Sequence, residues 1–338
     1  MRILDITTDS IVARNTIGVN VEHLPCGPSV LPSGRSRDEP GAGLLAILKA
    51  FIFARLGVYD WVFLPPFHVG WTVDNSPLKV FIKRSIRLLT SSKLLCRIFR
   101  WIMFGKVKIA LIDNSDQLSP SVSGIEMFSP QIYFMANSPK NLVKKLLPWG
   151  NGQALLLRIP MMMDDEMIEK FAASRANQER PYDVFITGYY HHPQREKQLA
   201  AAAILEARGR KVFELKERGF EKFAGGLASS KLCFAGQGLG YFSIRMGECV
   251  AAGAAPIINE PEAELEHGFI DGINAVVYSS SAIPEQIADA VEAVLDQPEQ
   301  IPKIQEMAWR MISTENRLSA LADKVISTLG SGQTLGNS

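Results

Sequence analysis

The sequence predicts an α/β protein of two units in series, each a parallel sheet covered by helices, and three observations carry that prediction. Short apolar runs rich in Ile, Val and Phe recur along the whole chain, and helix-forming or glycine-containing stretches separate them. The 338 residues, 47% hydrophobic and 21% charged, suit a globular protein long enough for two ordinary domains. The charge is also divided. Residues 1–159 hold 19 basic and 10 acidic side chains, or +9, and residues 160–338 hold 17 basic and 25 acidic, or −8, within a net charge of +1. Halves of opposite sign point to units with different partners.

The elements follow in order. RILDI opens the chain as a first strand, and residues 18–43, rich in Gly, Pro and Ser, read as a long loop. YDWVFL (59–64), VKIALID (107–113), QIYFMAN (131–137) and ALLLRI (154–159) read as buried parallel strands. The charged helical stretch MMMDDEMIEKFAASRANQERPY, 161–182, reads as the join. Behind it come DVFITG (183–188), KVFEL (211–215), KLCFAG (231–236), APIIN (255–259) and NAVVY (274–278). The helix former REKQLAAAAILEARG lies among them, with Gly209 at its C-cap position. The reading is two Rossmann-like units: an N-terminal domain over 1–165, a C-terminal domain over 180–312, and a last helix over 313–329 that returns to the N-terminal domain.

Composition also excludes classes. No apolar run approaches the roughly 20 residues of a spanning helix, and MRILDITTDS lacks the pattern of a signal peptide. Cys26, Cys96, Cys233 and Cys249 are scattered without the spacing of a zinc or redox motif, so they read as reduced thiols of a cytoplasmic protein.

The run KLCFAGQGLGYFSIRMGECVAAGAAPIIN reads as strand, glycine turn, helix, strand. Gly236, Gly238 and Gly240 let a backbone turn sharply and expose its amides, and the helix behind them begins with unpaired N–H groups and a positive dipole end, which suits phosphate. Arg245 falls in the first turn and can fork two phosphate oxygens; Glu248, three residues on, shares its face and can accept from sugar hydroxyls. Tyr241 lies in the same turn. The plainer alternative is an exposed Arg–Glu helix pair worth a few tenths of a kcal/mol beside a turn that merely needs glycine.

This block resembles the GT-B glycosyltransferases that use nucleotide sugars, and within them the group related to spore-maturation glycosyltransferases. The resemblance is carried by Ser230 and Lys231, by Arg245 to Glu248 in R-x-x-E spacing, by ECVAAGAAPII, by GFIDGIN (268–274) and by Tyr278. It covers most of residues 183–329; in the front half only the strand rhythm and the LIDNSDQ and YFMANSP runs are similar. Arg195, in YYHHPQR after DVFITG, matches a basic position of the pattern. The resemblance implies a sugar moved from a nucleotide-sugar substrate to a glycan or lipid-linked acceptor, with no cofactor and no metal. It places the donor mainly against the C-terminal domain and the acceptor against the N-terminal one. The implied donor-binding set is Arg245, Glu248, Gly236, Gly238, Gly240, Tyr241 and Arg195. Retaining families with a paired-glutamate motif carry a second glutamate eight residues before the first, where this chain has Gly240, so the stereochemical outcome stays open.

An inverting reaction needs a general base, for which Asp9, His68 and Asp116 are the catalytic candidates, with Asp113 beside them. Aspartates also cap turns, and a lone histidine often only satisfies a loop. His191 and His192 follow the first strand of the back half without acidic company. Two rival functions remain on the residues alone. GQGLG after a strand, with Glu260 twenty residues past Gly240, is compatible with a dinucleotide-dependent oxidoreductase. Gly240 is compatible with a sugar-nucleotide-binding protein that has lost turnover.

Residues 79–108 contain nine basic residues and no acid, with apolar residues at helical spacing. Trp101 and Phe104 close the stretch. This pattern suits helices lying on an anionic membrane surface, and equally suits core-facing helices with a basic solvated side. No recognisable nucleic-acid-binding module accompanies it, so nucleic acid is not expected as a partner.

Overall fold

The computed structural model describes residues 1–5, 19–23, 44–64, 93–113, 125–126, 128–136, 146–149, 152–159, 163–175, 179–187, 193–216, 219–237, 243–261, 263 and 267–330. The chain divides into two compact units. The N-terminal one takes the described residues up to Ile159 with the chain end from Leu321, and the C-terminal one takes those between 160 and 320.

The N-terminal unit is built on a seven-stranded sheet. Strands β1 (Arg2–Asp5), β3 (Trp61–Leu64), β4 (Lys108–Asp113), β5 (Ile132–Met135) and β7 (Gly152–Arg158) lie side by side and parallel. These are the apolar runs read from the sequence. Ile3, Leu4, Val62, Phe63, Ile109, Leu111, Tyr133 and Phe134 are fully buried, as expected of strands covered on both faces. Helices α1 (Leu44–Arg55) and α2 (Lys93–Phe104) pack on one another. Phe104 anchors α2, meeting Phe51 and Phe128 edge-on at 5.3 and 5.9 Å.

Two strands depart from the sequence reading. Residues 18–43 were expected as loop, yet β2 (Asn20–His23) pairs parallel with β1, from Arg2↔Asn20 to Asp5↔His23. The pairing satisfies backbone groups that β1 would otherwise present at an open edge. At the opposite edge β6 (Leu146–Trp149) runs antiparallel to β7, so the sheet is mixed rather than wholly parallel. Pro148 is tolerated there because an edge strand can lack one N–H without breaking a ladder.

The C-terminal unit carries a five-stranded, all-parallel sheet: β8 (Tyr182–Thr187), β9 (Val212–Leu215), β10 (Ser230–Phe234), β11 (Ala255–Asn259) and β12 (Val276–Tyr278). Their spatial order is β12-β11-β10-β8-β9. Around them lie α3 (Asp165–Arg175), α4 (Pro193–Ala207), α5 (Phe220–Ala228), α6 (Ile244–Ala251), α7 (Pro284–Leu295) and α8 (Ile301–Thr314). The sequence-predicted stop of α4 is present: Gly209 takes φ +88°, and Arg210 N–H closes on Leu205 O at 3.0 Å. Two apolar layers flank the sheet, one holding Phe185, Met246, Cys249 and Ile258, the other Val184, Leu205, Phe234 and Ile257. The alternation of neighbouring residues between layers is the period of two expected of a strand. Helix α9 (Leu318–Gly330) closes the chain, and from Leu321 its residues group with the N-terminal unit.

Candidate functional site

In the C-terminal sheet the first strand of the unit, β8, has β9 on one side and β10 on the other. Chain order therefore reverses between β8 and β10. In open α/β sheets, helices leaving two such strands diverge and leave a crevice beyond the carboxyl ends, where ligands bind. What the sequence puts at those ends decides the chemistry.

Arg245 lies in the first turn of α6, behind β10. Its Nη1 donates to Thr187 Oγ1, at the carboxyl end of β8, at 2.6 Å, and its Nε donates to Glu248 Oε2 at 3.2 Å. The guanidinium also sits over the Phe223 ring, 4.5 Å from its centre. Among the described residues its Nη2 makes no hydrogen bond. The two side chains are 15% and 17% exposed, so they are neither turned into bulk water nor sealed away. Burial pushes the Glu248 carboxyl up from the usual carboxylate range, against the pull of Arg245 and of the more distant Arg195. The donor-binding reading of the sequence gave the two residues separate ligand groups, and the plainer one made them an exposed pair. Here they bind each other, and the acid holds the arginine in place.

Arg195, in the first turn of α4, is buried and reaches the same place from the other side of the switch. Its Nη1 donates to Phe234 O at 3.3 Å and its Nη2 to Ser243 Oγ at 3.4 Å. Ser243 is the N-cap residue of α6. The cation therefore lies against the end of β10 and the start of α6, adding to the positive end of that helix.

Gly236 is needed for close approach. A Cβ at this position would fall 2.3 Å from Gln198 Nε2. Gln198 is fully buried and donates to Tyr278 Oη at 2.9 Å. The next residue, Gln237, is pinned by β11: its backbone N–H donates to Asn259 Oδ1 at 2.9 Å, and Asn259 Nδ2 returns a bond to its side-chain oxygen at 3.2 Å. The start of the glycine turn is thus fixed by buried amides. Thr187, Gln198, Ser243 and Asn259 were not singled out from the sequence. The signal available was position: Thr187 and Asn259 end their strands on the side where such sheets bind ligands.

Other motif pieces have structural roles. Ser230 Oγ donates to Gly226 O at 2.8 Å, and Lys231 pairs with Asp183 at 2.6 Å, at the amino ends of β10 and β8 and away from the crevice. Within GFIDGIN, Asn274 accepts from Ile270 N–H at 2.6 Å and Asp271 from Val277 N–H at 2.8 Å, which fastens the turn before β12. Asp113 is buried at the end of β4 and accepts from the Tyr133 hydroxyl. Asp9, His68, Asp116, His191, His192, Gly238, Gly240, Tyr241 and residues 79–92 lie outside the described residues. Among the described residues no group of three His, Cys, Asp or Glu could hold a metal, and no helix is long and apolar enough to cross a membrane.

Residues 220–327 match the family model described as glycosyl transferase-like. No curated protein matches the chain. Among solved structures, a glycosyltransferase from Rickettsia africae is 13% identical with TM-score 0.55, over 100% of this chain and 99% of that one. Sucrose-phosphate synthase from Thermosynechococcus elongatus is 11% identical with TM-score 0.54, over 98% of both chains. HepE from Anabaena, in complex with UDP and glucose, is 13% identical with TM-score 0.51, over 98% of this chain and 100% of that one. At such identities the likeness establishes the fold, two Rossmann-like units of the GT-B kind, and neither it nor the match over residues 220–327 favours the oxidoreductase or the inactive binding protein. The fold is thus that of GT-B glycosyltransferases, and residues 220–327 are similar to the glycosyl transferase-like family.

Proposed function

We propose that the crevice beyond β8 and β10 binds the diphosphate of a nucleotide sugar, and that Arg245, Arg195 and the amino end of α6 stabilise it as it leaves. The observation that carries this reading is the meeting of two guanidinium groups and a helix N-terminus at the point of strand reversal. In the transfer the bond from the anomeric carbon to the phosphate oxygen breaks, and one to the acceptor oxygen forms. Negative charge grows on the departing diphosphate. Cations already held in place by Thr187, Glu248 and Ser243 oppose it without reorganising. Glu248 both orients Arg245 and is available to a sugar hydroxyl, and Gly236, Gly238, Gly240 and Tyr241 complete the proposed donor-binding set.

In an inverting reaction the acceptor proton goes to a base, with Asp9, His68 and Asp116 as candidates. The acceptor is a glycan or a lipid-linked molecule. The protein works in the cytoplasm, peripherally at the inner face of an anionic membrane through residues 79–108.

Calorimetry with UDP, GDP, CMP and NAD tests the reading. A nucleoside diphosphate should bind and NAD should not. Arg245→Ala should weaken that binding by about 1.5–3 kcal/mol, the range for hydrogen bonds to charged groups, or roughly ten- to a hundredfold. Unchanged affinity in a folded variant, or preference for NAD, sinks it.

A further inference from the structure

The helix pair of the N-terminal unit carries an apolar face that its own fold leaves uncovered. Ile52 and Leu56, on and just past α1, are 57% and 71% exposed; Ile98, Trp101 and Ile102 of α2 are 44%, 61% and 52% exposed. These five make up nearly half of the exposed large apolar side chains among the described residues. They are brought together deliberately. Arg55, at the end of α1, lays its guanidinium over the Trp101 ring at 4.4 Å and donates to the carbonyls of Trp101 and Ile102, the latter at 3.0 Å. The tryptophan is therefore held in position while its ring stays in solvent. The opposite faces of both helices are satisfied: Ala50, Ala54 and Phe104 are buried in the core.

The charges on the two helices have one sign. Lys49, Arg55, Arg97 and Lys106 are exposed around this face, and neither α1 nor α2 contains an acid. Apolar side chains that enter the acyl boundary, a tryptophan at headgroup depth and a rim of cations are the components of an interfacial anionic-lipid site. A core-facing basic helix, the plainer reading of the sequence, would not leave Trp101 and Leu56 mostly exposed.

We infer that the α1–α2 face, with Leu56 and Trp101 at its centre, is the surface by which the chain docks on an anionic lipid bilayer. The inference rests on the peripheral-membrane part of the proposed function and adds α1, which the sequence reading did not include. It is independent of the nucleotide chemistry.

The test is co-sedimentation of the full chain with vesicles of phosphatidylcholine, with and without about a quarter phosphatidylglycerol. The wild type should pellet with the anionic vesicles and stay in solution with the neutral ones. Leu56→Ser combined with Trp101→Ser should lower vesicle affinity by on the order of tenfold, with UDP affinity and urea midpoint unchanged. Failure of the wild type to pellet overturns both the face and the membrane reading. If Lys83→Ala, Arg84→Ala and Arg87→Ala together abolish pelleting while the Ser double variant pellets as the wild type does, the membrane reading stands and the face is wrong. If the wild type self-associates in solution and the Ser double variant does not, the face is an interface between copies and the inference falls. Vesicle binding without UDP binding would leave the inference standing and remove the transferase reading.

Discussion

Arg245 Nη1 donates to Thr187 Oγ1 at 2.6 Å and so ties the first turn of α6 to the carboxyl end of β8, 58 residues earlier in the chain. The hydroxyl fixes which way the guanidinium points. Thr187→Val keeps the shape and removes the acceptor, leaving a partly buried cationic N–H without its partner. Urea unfolding should show a loss of about 1 kcal/mol. UDP affinity measured by calorimetry should fall several-fold, and Thr187→Ser should restore both. A Val variant that binds UDP as the wild type does would show that Arg245 needs no such anchor.

Glu248 gives a pH signature. Burial dominates and raises its carboxyl pKa, so the native state holds the proton more tightly than the unfolded chain does. The stabilisation from the neutral form is complete below the unfolded value, about 4.3, and is lost as pH rises through the raised native value. Glu248→Gln keeps an acceptor for Arg245 Nε and cannot ionise. The stability of the wild type relative to this variant should therefore decline from pH 4 toward pH 8 in urea titrations. A gap that widens with pH would reverse the assignment and make the pair with Arg245 the dominant effect.

The central strands were readable because strands buried on both faces are nearly continuous apolar runs, as in KIALID and APIIN. The edge strands β2 and β6 were missed for the complementary reason. NVEH and LLPW carry a polar majority or a proline, which an edge tolerates and a sequence pattern cannot separate from loop. At the site, Arg245 and Glu248 were legible because i,i+3 spacing on a helix is local information. The same spacing offered their mutual bond as the plainer alternative, but the anchoring of Arg245 by Thr187 was not legible. The same holds for Gln198 against Gly236 and Asn259 against Gln237, where side chains meet across 38 and 22 residues of chain. At Gly236 the sequence argued from the turn alone, whereas the structure adds a neighbouring amide, that of Gln198, which excludes a side chain there.

That distinction is testable. In Gly236→Ala the new Cβ meets Gln198 Nε2 at 2.3 Å, inside a fully buried cluster, so Gln198 must give up its place beside Tyr278. Overpacking of this kind costs about 1–3 kcal/mol. Because the clash is with one side chain, adding Gln198→Ala should recover part of the loss, and the two changes should be strongly non-additive in thermal unfolding. Additive losses would mean that the glycine serves the backbone alone.

Lys231 and Asp183 test whether the Ser–Lys piece of the motif belongs to the fold rather than to the site. Burial alone would raise the Asp183 carboxyl, but the Lys231 ammonium at 2.6 Å and the Lys211 backbone N–H at 2.9 Å outweigh it and hold the carboxyl below its usual value. A depressed native pKa stabilises the fold above the unfolded value, about 3.9, and that contribution disappears as pH falls through the native one. Asp183→Asn should therefore be less stable than the wild type at pH 7, with the gap closing toward pH 3 in urea titrations. The pair sits at the amino ends of β8 and β10, opposite the crevice, so UDP affinity should not change. A loss of UDP affinity in a variant whose unfolding midpoint is normal would bring Lys231 and Asp183 into the donor site and require the crevice to be drawn at the other end of the sheet.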